Sequence, residues 1–291
     1  MNYLKGFNNY LEDMDKSERT IVSYLNTISQ FSNWLIKEKF IDDLSIVATR
    51  EIKAYRQILL EKYSPATVNQ KLACIKTFYK FMTQTHIIKE DPAKYIKLQK
   101  VDNIKSQYMT RAEELRVMSK AKEKGIKAYA ILMVLLKCGL RPSELSSLTL
   151  DCLFLDKEPT LLVKDSKRNK SRYVPIPMDT CKALNAWIDE RNKSDKIYHT
   201  RSKYVFTSQR QDRLEVRAIQ RVVEVIGIEA GVELYCIRLR ATYANSLIQN
   251  ANIPLSALAT LMGHDSIQTT SRYTTINEQD KRRYVNSISE I

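Results

Sequence analysis

The sequence predicts a mostly α-helical protein with one small β-hairpin or sheet, divided into a four-helix N-terminal module and a mixed α/β domain. Three observations predict it. Residues 1–95 carry only helical periodicity, with apolar side chains recurring at spacings of three and four. Asp91-Pro92 stops that pattern, and residues 96–108 form an aperiodic, lysine-bearing stretch that reads as a linker. Beyond it, at 109–291, helical stripes resume but are interrupted by two short β-like runs. A length of 291 residues suits two domains, and 44% hydrophobic residues are enough for two packed cores.

In order along the chain, a weak helix is expected near 2–12. A strong one follows Ser17, with Ile21, Tyr24, Leu25, Ile28, Phe31, Trp34 and Leu35 as its stripe. Another weak helix falls at 48–62. Ser64 and Pro65 make a good N-cap and first turn for a second strong stripe: Val68, Leu72, Ile75, Phe78, Tyr79 and Phe81. After the linker, Thr110-Arg-Ala-Glu113 is a capping box that opens the second domain. Ala128 to Leu136 is almost wholly apolar and so belongs to a buried helix. Gly139 suits a left-handed helix end and Pro142 the start of the next helix, which pins Arg141 at the junction. The runs Thr160–Lys164 and Arg172–Ile176 read as strands that bracket a basic hairpin loop, Asp165 to Ser171. Helices are expected near 178–192, 215–230 and 237–249, and from Pro254 to Met262 with Gly263 as the cap.

The formal net charge is +14, with +5 in residues 1–100 and +9 in 101–291. Both halves are basic, so the charge belongs to no single tail and points to a polyanion contacted by both. The five cysteines are scattered, with no C-x-x-C pair, and only three histidines are present. A disulfide framework or zinc site is therefore not expected, and the cysteines fit small core side chains. The absence of any long apolar run or signal pattern points to the cytoplasm, without membrane contact. No phosphate-binding glycine loop occurs, which argues against nucleotide-driven chemistry.

Four groups of residues carry the functional signal: Gly139-Leu-Arg-Pro-Ser-Glu-Leu145; the basic loop Lys167-Arg-Asn-Lys-Ser-Arg-Tyr-Val-Pro175; Arg238; and Leu261-Met-Gly-His264, with Tyr273 nine residues beyond the histidine. Taken singly, each has a bland reading. Arg141 fits a surface or capping residue, Lys167 a solvated charge and Tyr273 half-buried packing, while Arg238 beside Arg240 fits a basic helix face. In this order and spacing they resemble the tyrosine recombinase (phage integrase) family, close to its Xer-like members, over nearly the whole chain. The resemblance implies a helical, SAM-like core-binding domain at 1–95 and a catalytic domain at 109–291.

The implied reaction cleaves and rejoins DNA strands without metal, ATP or any other cofactor. Arg141 and Arg238 would hold the non-bridging phosphate oxygens, since a guanidinium offers paired donors and stays charged. Removing one such clamp commonly costs about 3 kcal/mol of barrier. His264 would add a hydrogen bond to the same phosphate. Tyr273 would be the nucleophile, giving a 3′-phosphotyrosyl link whose retained bond energy allows rejoining. A free tyrosine has a pKa of about 10, so its proton must leave as attack proceeds. Lys167 would protonate the departing 5′-oxygen. Glu144, one helical turn past Arg141, would orient the arginine or its neighbours. One position departs from the family pattern: Tyr235 stands where a histidine is usual, three residues before Arg238, and Leu239 follows Arg238. A phenol donates well but is a poor base near neutral pH. Tyr235 is thus expected to donate to phosphate while water takes the proton; Tyr235 acting as the base, or a slow or assisted enzyme, are the other readings, with His86 and His199 as stand-ins.

For DNA contact the candidates are Lys71, Lys76 and Lys80 in the first domain, Arg168 and Lys170 in the basic loop, and Arg217, Gln220 and Arg221 in the second domain. The resemblance implies that double-stranded core sites are clamped between the domains. The tail 278–291 carries an apolar face of Tyr284, Val285, Ile288 and Ile291; by resemblance it docks into a neighbouring subunit within a homotetramer. No long extension precedes the first domain, which favours a simple core-site enzyme for chromosome-dimer, plasmid or transposon resolution, or for integration, with or without a partner recombinase or accessory protein. Two other readings are a DNA-binding accessory or regulatory protein with an impaired site, and a topoisomerase-like relaxer.

Overall fold

Residues 3–100, 107–165, 170–251 and 253–263 are described by the structure, a computed structural model. The chain divides into two units, Met1–Asn103 and Ile104–Ile291. Among the described residues the first contains four α-helices: α1 (Tyr3–Asp13), α2 (Glu18–Lys39), α3 (Thr49–Lys62) and α4 (Pro65–Gln84). Ser17 and Ser64 cap α2 and α4 as their side-chain oxygens accept from the N–H groups of Thr20 and Thr67. Both strong stripes face inward. Phe7, Phe31, Phe78 and Tyr79 are fully buried, with the rings of Phe7 and Phe78 edge to face at 5.2 Å.

The start of the expected linker belongs to this unit. Ala93 and Ile96 are buried in its core, and Asn69 exchanges two hydrogen bonds with the Gln99 backbone. The buried Ile96 and the paired amide hold a segment that has no periodicity of its own, and the division between the two units falls within the expected 96–108 linker.

In the second unit, the Thr110–Glu113 box caps α5 (Arg111–Glu123). The next helix, α6 (Ile126–Lys137), is buried along residues 130–136 and forms the centre of the core. A short α7 (Pro142–Ser147) leads to a three-stranded antiparallel sheet in the order β1-β2-β3: β1 (Leu153–Phe154), β2 (Thr160–Asp165) and β3 (Lys170–Pro175). The two-residue β1 is too short to leave an alternation in the sequence. Leu161 pairs with Val174 and Val163 with Arg172, so Arg172 shares the inward face of the hairpin with three buried aliphatic side chains. The remaining α-helices among the described residues are α8 (Met178–Asn192), α9 (Ile197–Thr200), α10 (Val216–Ala230), α11 (Cys236–Ala251) and α12 (Leu255–Met262). All five cysteines are buried and free. Among the described residues, no helix is long and apolar enough to cross a membrane.

Candidate active site

Arg141 is positioned by backbone before any side chain is considered. Gly139 has φ +63°, and a Cβ there would lie 2.2 Å from the Tyr243 ring, so both conformation and space demand glycine. The chain then turns through an extended Arg141 into Pro142, the first residue of α7. Glu144 reaches back: its Oε2 accepts from the Arg141 backbone N–H at 2.7 Å, and its Oε1 from Arg141 Nη1 at 2.8 Å. The Arg141 side chain remains 40% exposed.

The same carboxylate is gripped from the other side by Arg172. Nη1 and Nη2 of Arg172 donate to the two Glu144 oxygens at 2.9 and 3.0 Å, within a nearly buried pair (13% and 11% exposed). Burial by itself would raise the Glu144 carboxyl. The hydrogen bonds and charge of Arg172, then the N–H and charge of Arg141, outweigh it and hold the group below the usual carboxylate range.

Three arginines converge on the end of α12. The carbonyl of Leu261 accepts from Arg172 Nε at 2.8 Å, that of Met262 from Arg240, and that of Gly263 from Arg141 Nη2 at 2.8 Å. The last carbonyls of a helix lack intrahelical partners and carry its negative dipole end, so cations are favoured there. Gly263 closes α12 at φ +62°, and a Cβ on it would come within 2.6 Å of Arg172 Nη1. Arg240 also donates to the Gly139 carbonyl. It is buried and ties the two glycine turns together, which corrects the reading of Arg238 and Arg240 as a basic helix face. The residue after Gly263 is His264. Both His264 and Tyr273 lie outside the described residues, as do Lys167, Arg168 and the tail 278–291.

Arg238, in the first turn of α11, is buried. Its Nη2 donates to Glu113 Oε1 at 2.9 Å and its Nη1 to the Glu233 carbonyl, while Nε is buried without a partner. Glu113 therefore has two tasks, capping α5 and holding Arg238. The Thr110 N–H above all, together with Arg238, keeps its carboxyl below the usual range against the opposing effect of burial. Tyr235 is 41% exposed just before α11, and its carbonyl accepts from the N–H groups of Arg238 and Leu239. Leu239 is fully buried, so the second departure from the family pattern is absorbed by packing. His199 is buried in the interior, with Nδ1 2.6 Å from Thr207 Oγ1 and its ring against Trp187. Burial, then the charges of Lys127, Lys196 and Arg191, lower its pKa. Those partners make it a core histidine and not a stand-in base.

Among the candidate DNA contacts, Arg217, Gln220 and Arg221 are all exposed on α10, whose Ile219, Val223 and Ile226 face the core. Lys80 is exposed. Lys71 donates to Gln30 and lies over the Tyr63 ring. Lys76 is already committed to the carbonyls of Lys94 and Ile96 at 3.3 and 3.0 Å, a bracing role for the chain after α4. Lys170 lies on β3 opposite Asp165. No group of three or more His, Cys, Asp or Glu side chains among the described residues is arranged to hold a metal ion.

Residues absent from the sequence reading of the site are thus Arg172, Arg240 and Glu113. For Arg172 a signal exists. It alternates with Val174 on the inward side of a strand, and a cation there requires a buried partner. For Glu113 the capping-box motif already accounts for the carboxylate and conceals its second contact.

Comparison with known proteins adds to this geometry. Residues 107–280 match the model of the phage integrase family, and residues 3–89 match that of the phage integrase N-terminal SAM-like domain. The tyrosine recombinase XerC of Bacillus subtilis (strain 168) is 28% identical, covering 96% of this chain and 93% of its own. The crystal structure of XerA recombinase is similar at TM-score 0.55 and 25% identity, covering 99% and 98% of the two chains. The lambda integrase tetramer bound to a Holliday junction shares the fold at TM-score 0.73 and 16% identity, covering 94% of this chain and 76% of that one.

Proposed function

This chain belongs to the phage integrase family and is a tyrosine-type site-specific recombinase acting on DNA, and we propose that Tyr273 attacks the scissile phosphate. The tyrosyl oxygen forms a bond to phosphorus as the bond to the 5′-oxygen breaks. The strand is left with a 3′-phosphotyrosyl link and a free 5′-hydroxyl. Arg141 and Arg238 hold the non-bridging oxygens, and His264 adds a hydrogen bond. Lys167 protonates the 5′-oxygen, and the phenolic proton passes to water. Attack by a 5′-hydroxyl from a second duplex reverses the steps and exchanges strands.

The observation that carries this reading is the seat of Arg141. Its guanidinium is oriented by Glu144 and by the Gly263 carbonyl, one residue before His264, while the side chain stays exposed to a ligand. A positioned, accessible arginine, held by the carbonyl of the residue that precedes the final motif's histidine in sequence, suits charge stabilisation at phosphorus. Tyr235, exposed at the entrance to α11, suits a phosphate donor in place of the family's usual histidine. Exchange is pairwise through a Holliday junction in a homotetramer on double-stranded core sites, a reading supported by the lambda integrase tetramer on such a junction. The tail 278–291 couples the subunits. Resolution of a chromosome, plasmid or transposon, or integration, are the roles such a core-site enzyme serves.

The test begins with binding selection from random DNA to find the core site. That site is then nicked just downstream of the scissile phosphate and incubated with the protein. Denaturing gels should show a covalent protein–DNA adduct that disappears in Tyr273→Phe, while binding persists. Specific binding without adduct would overturn the self-sufficient enzyme and favour an impaired site or an obligatory partner. Relaxation of supercoils without exchange between two sites would favour the relaxer.

A further inference from the structure

One arrangement at the site is not used by the proposed reaction. Glu144 is a single carboxylate shared by two arginines. Oε1 accepts from Arg141 Nη1 at 2.8 Å and from Arg172 Nη1 at 2.9 Å; Oε2 accepts from the Arg141 N–H at 2.7 Å and from Arg172 Nη2 at 3.0 Å. The two arginines differ in exposure: Arg141 is open at 40%, whereas Arg172 is nearly enclosed at 13%.

We propose that Arg172 is a positioning residue that acts through Glu144, offsetting its charge so that Arg141 keeps a full positive charge for the scissile phosphate. A carboxylate is needed to aim Arg141, yet an adjacent carboxylate also cancels the charge it aims. A one-to-one pair would present a nearly neutral unit to the phosphate. With Arg172 bound face to face on the same carboxylate, the cluster of three carries one net positive charge, and Arg141 is the member left open to a ligand. The placement of Arg172 points the same way. Arg172 sits on the inward face of β3 opposite the buried Val163, where an aliphatic residue would pack more cheaply. Its Nε on the Leu261 carbonyl, and the demand for glycine at 263, fix the guanidinium against Glu144. Lysine could supply the charge but not the fork.

This inference rests on Arg141 holding the scissile phosphate, as proposed above. The experiment measures single-turnover adduct formation on the nicked core site at saturating protein, so that binding cancels, with thermal unfolding and DNA affinity recorded for each variant. Arg172→Gln is expected to slow adduct formation by about tenfold or more, with core-site affinity little changed. Arg172→Lys should lie between it and the wild type. The decisive variant is Arg172→Gln combined with Glu144→Gln. Removing the surplus negative charge should recover at least about fivefold of the rate lost in Arg172→Gln, because the amide that replaces the carboxylate still offers an oxygen to Arg141. A purely structural Arg172 makes the double variant no faster than the single one, and that result would overturn the proposal. So would wild-type rates in Arg172→Gln. If Arg172→Gln does not fold, the comparison passes to Arg172→Lys with and without Glu144→Gln, with the same two outcomes. Absence of adduct in the wild-type protein would instead defeat the Tyr273 reaction itself, so the two failures are distinguishable.

Discussion

At the scale of single residues, Glu144 dominates the site. It is nearly buried, ionised, and satisfied by four donors from two arginines. A buried ion pair adds little net stability over a hydrophobic replacement, but breaking it by removing one partner leaves uncompensated charge. Glu144→Gln is therefore expected to destabilise the protein by about 3 kcal/mol at neutral pH. The pH dependence has a definite sign. The folded-state pKa is depressed below the ordinary 4.5, so the carboxylate contributes stability that is fully present above 4.5 and is lost as pH falls through the lower folded value. Urea unfolding of wild type and Glu144→Gln from about pH 7 to pH 3 should show a constant difference down to about 4.5 and a shrinking one below. A difference independent of pH over that range would mean that folding does not depress the Glu144 pKa.

At the scale of elements, the site is made of ends. Arg141 caps the start of α7, Arg238 lies in the first turn of α11, and Gly263 caps the end of α12. Helix ends carry unpaired backbone groups, and here arginine side chains satisfy those of α12 and of the Gly139 turn. The Gly139 turn is the least tolerant part. An alanine there must adopt a left-handed conformation, at about 1–2 kcal/mol, and must also displace the Tyr243 ring. Gly139→Ala should cost about 3 kcal/mol or more in denaturant unfolding. Combined with Tyr243→Ala it should cost less than the sum of the two single changes, because the clash is removed once. Strict additivity would locate the penalty in the backbone alone.

At the scale of the whole molecule, both halves of the chain are basic, and α10 presents Arg217, Gln220 and Arg221 to solvent on one exposed face. Affinity for DNA should fall linearly on a log–log plot against salt, with a slope of about −0.9 per phosphate neutralised. The side chains on α10 divide by what they read. If Arg221 contacts phosphate, Arg221→Ala should weaken all sequences alike and reduce the slope by about one. Substituting a base-reading Arg217 or Gln220 should instead narrow the gap between core site and random DNA. Fluorescence anisotropy across a salt series, on both DNAs, separates these outcomes. Unchanged affinity and slope in all three variants would remove α10 from the DNA surface.

The elements and the type of chemistry were legible in the linear chain. Strong stripes, serine caps and the Gly139–Pro142 junction are local signals, because a helix or a turn is decided by neighbours within a few residues. Arg141, Glu144, Arg238, His264 and Tyr273 could be singled out because their motifs are short and ordered along the chain. Contacts between motifs distant in sequence emerged only from the folded arrangement. Arg172 meeting Glu144 and Leu261, Arg240 bridging Gly139 and Met262, and Glu113 holding Arg238 each join segments tens to more than a hundred residues apart. Nothing in a linear pattern names the partner of a buried cation. It shows at most that one is required, since an unpaired charge in a core is too costly to remain.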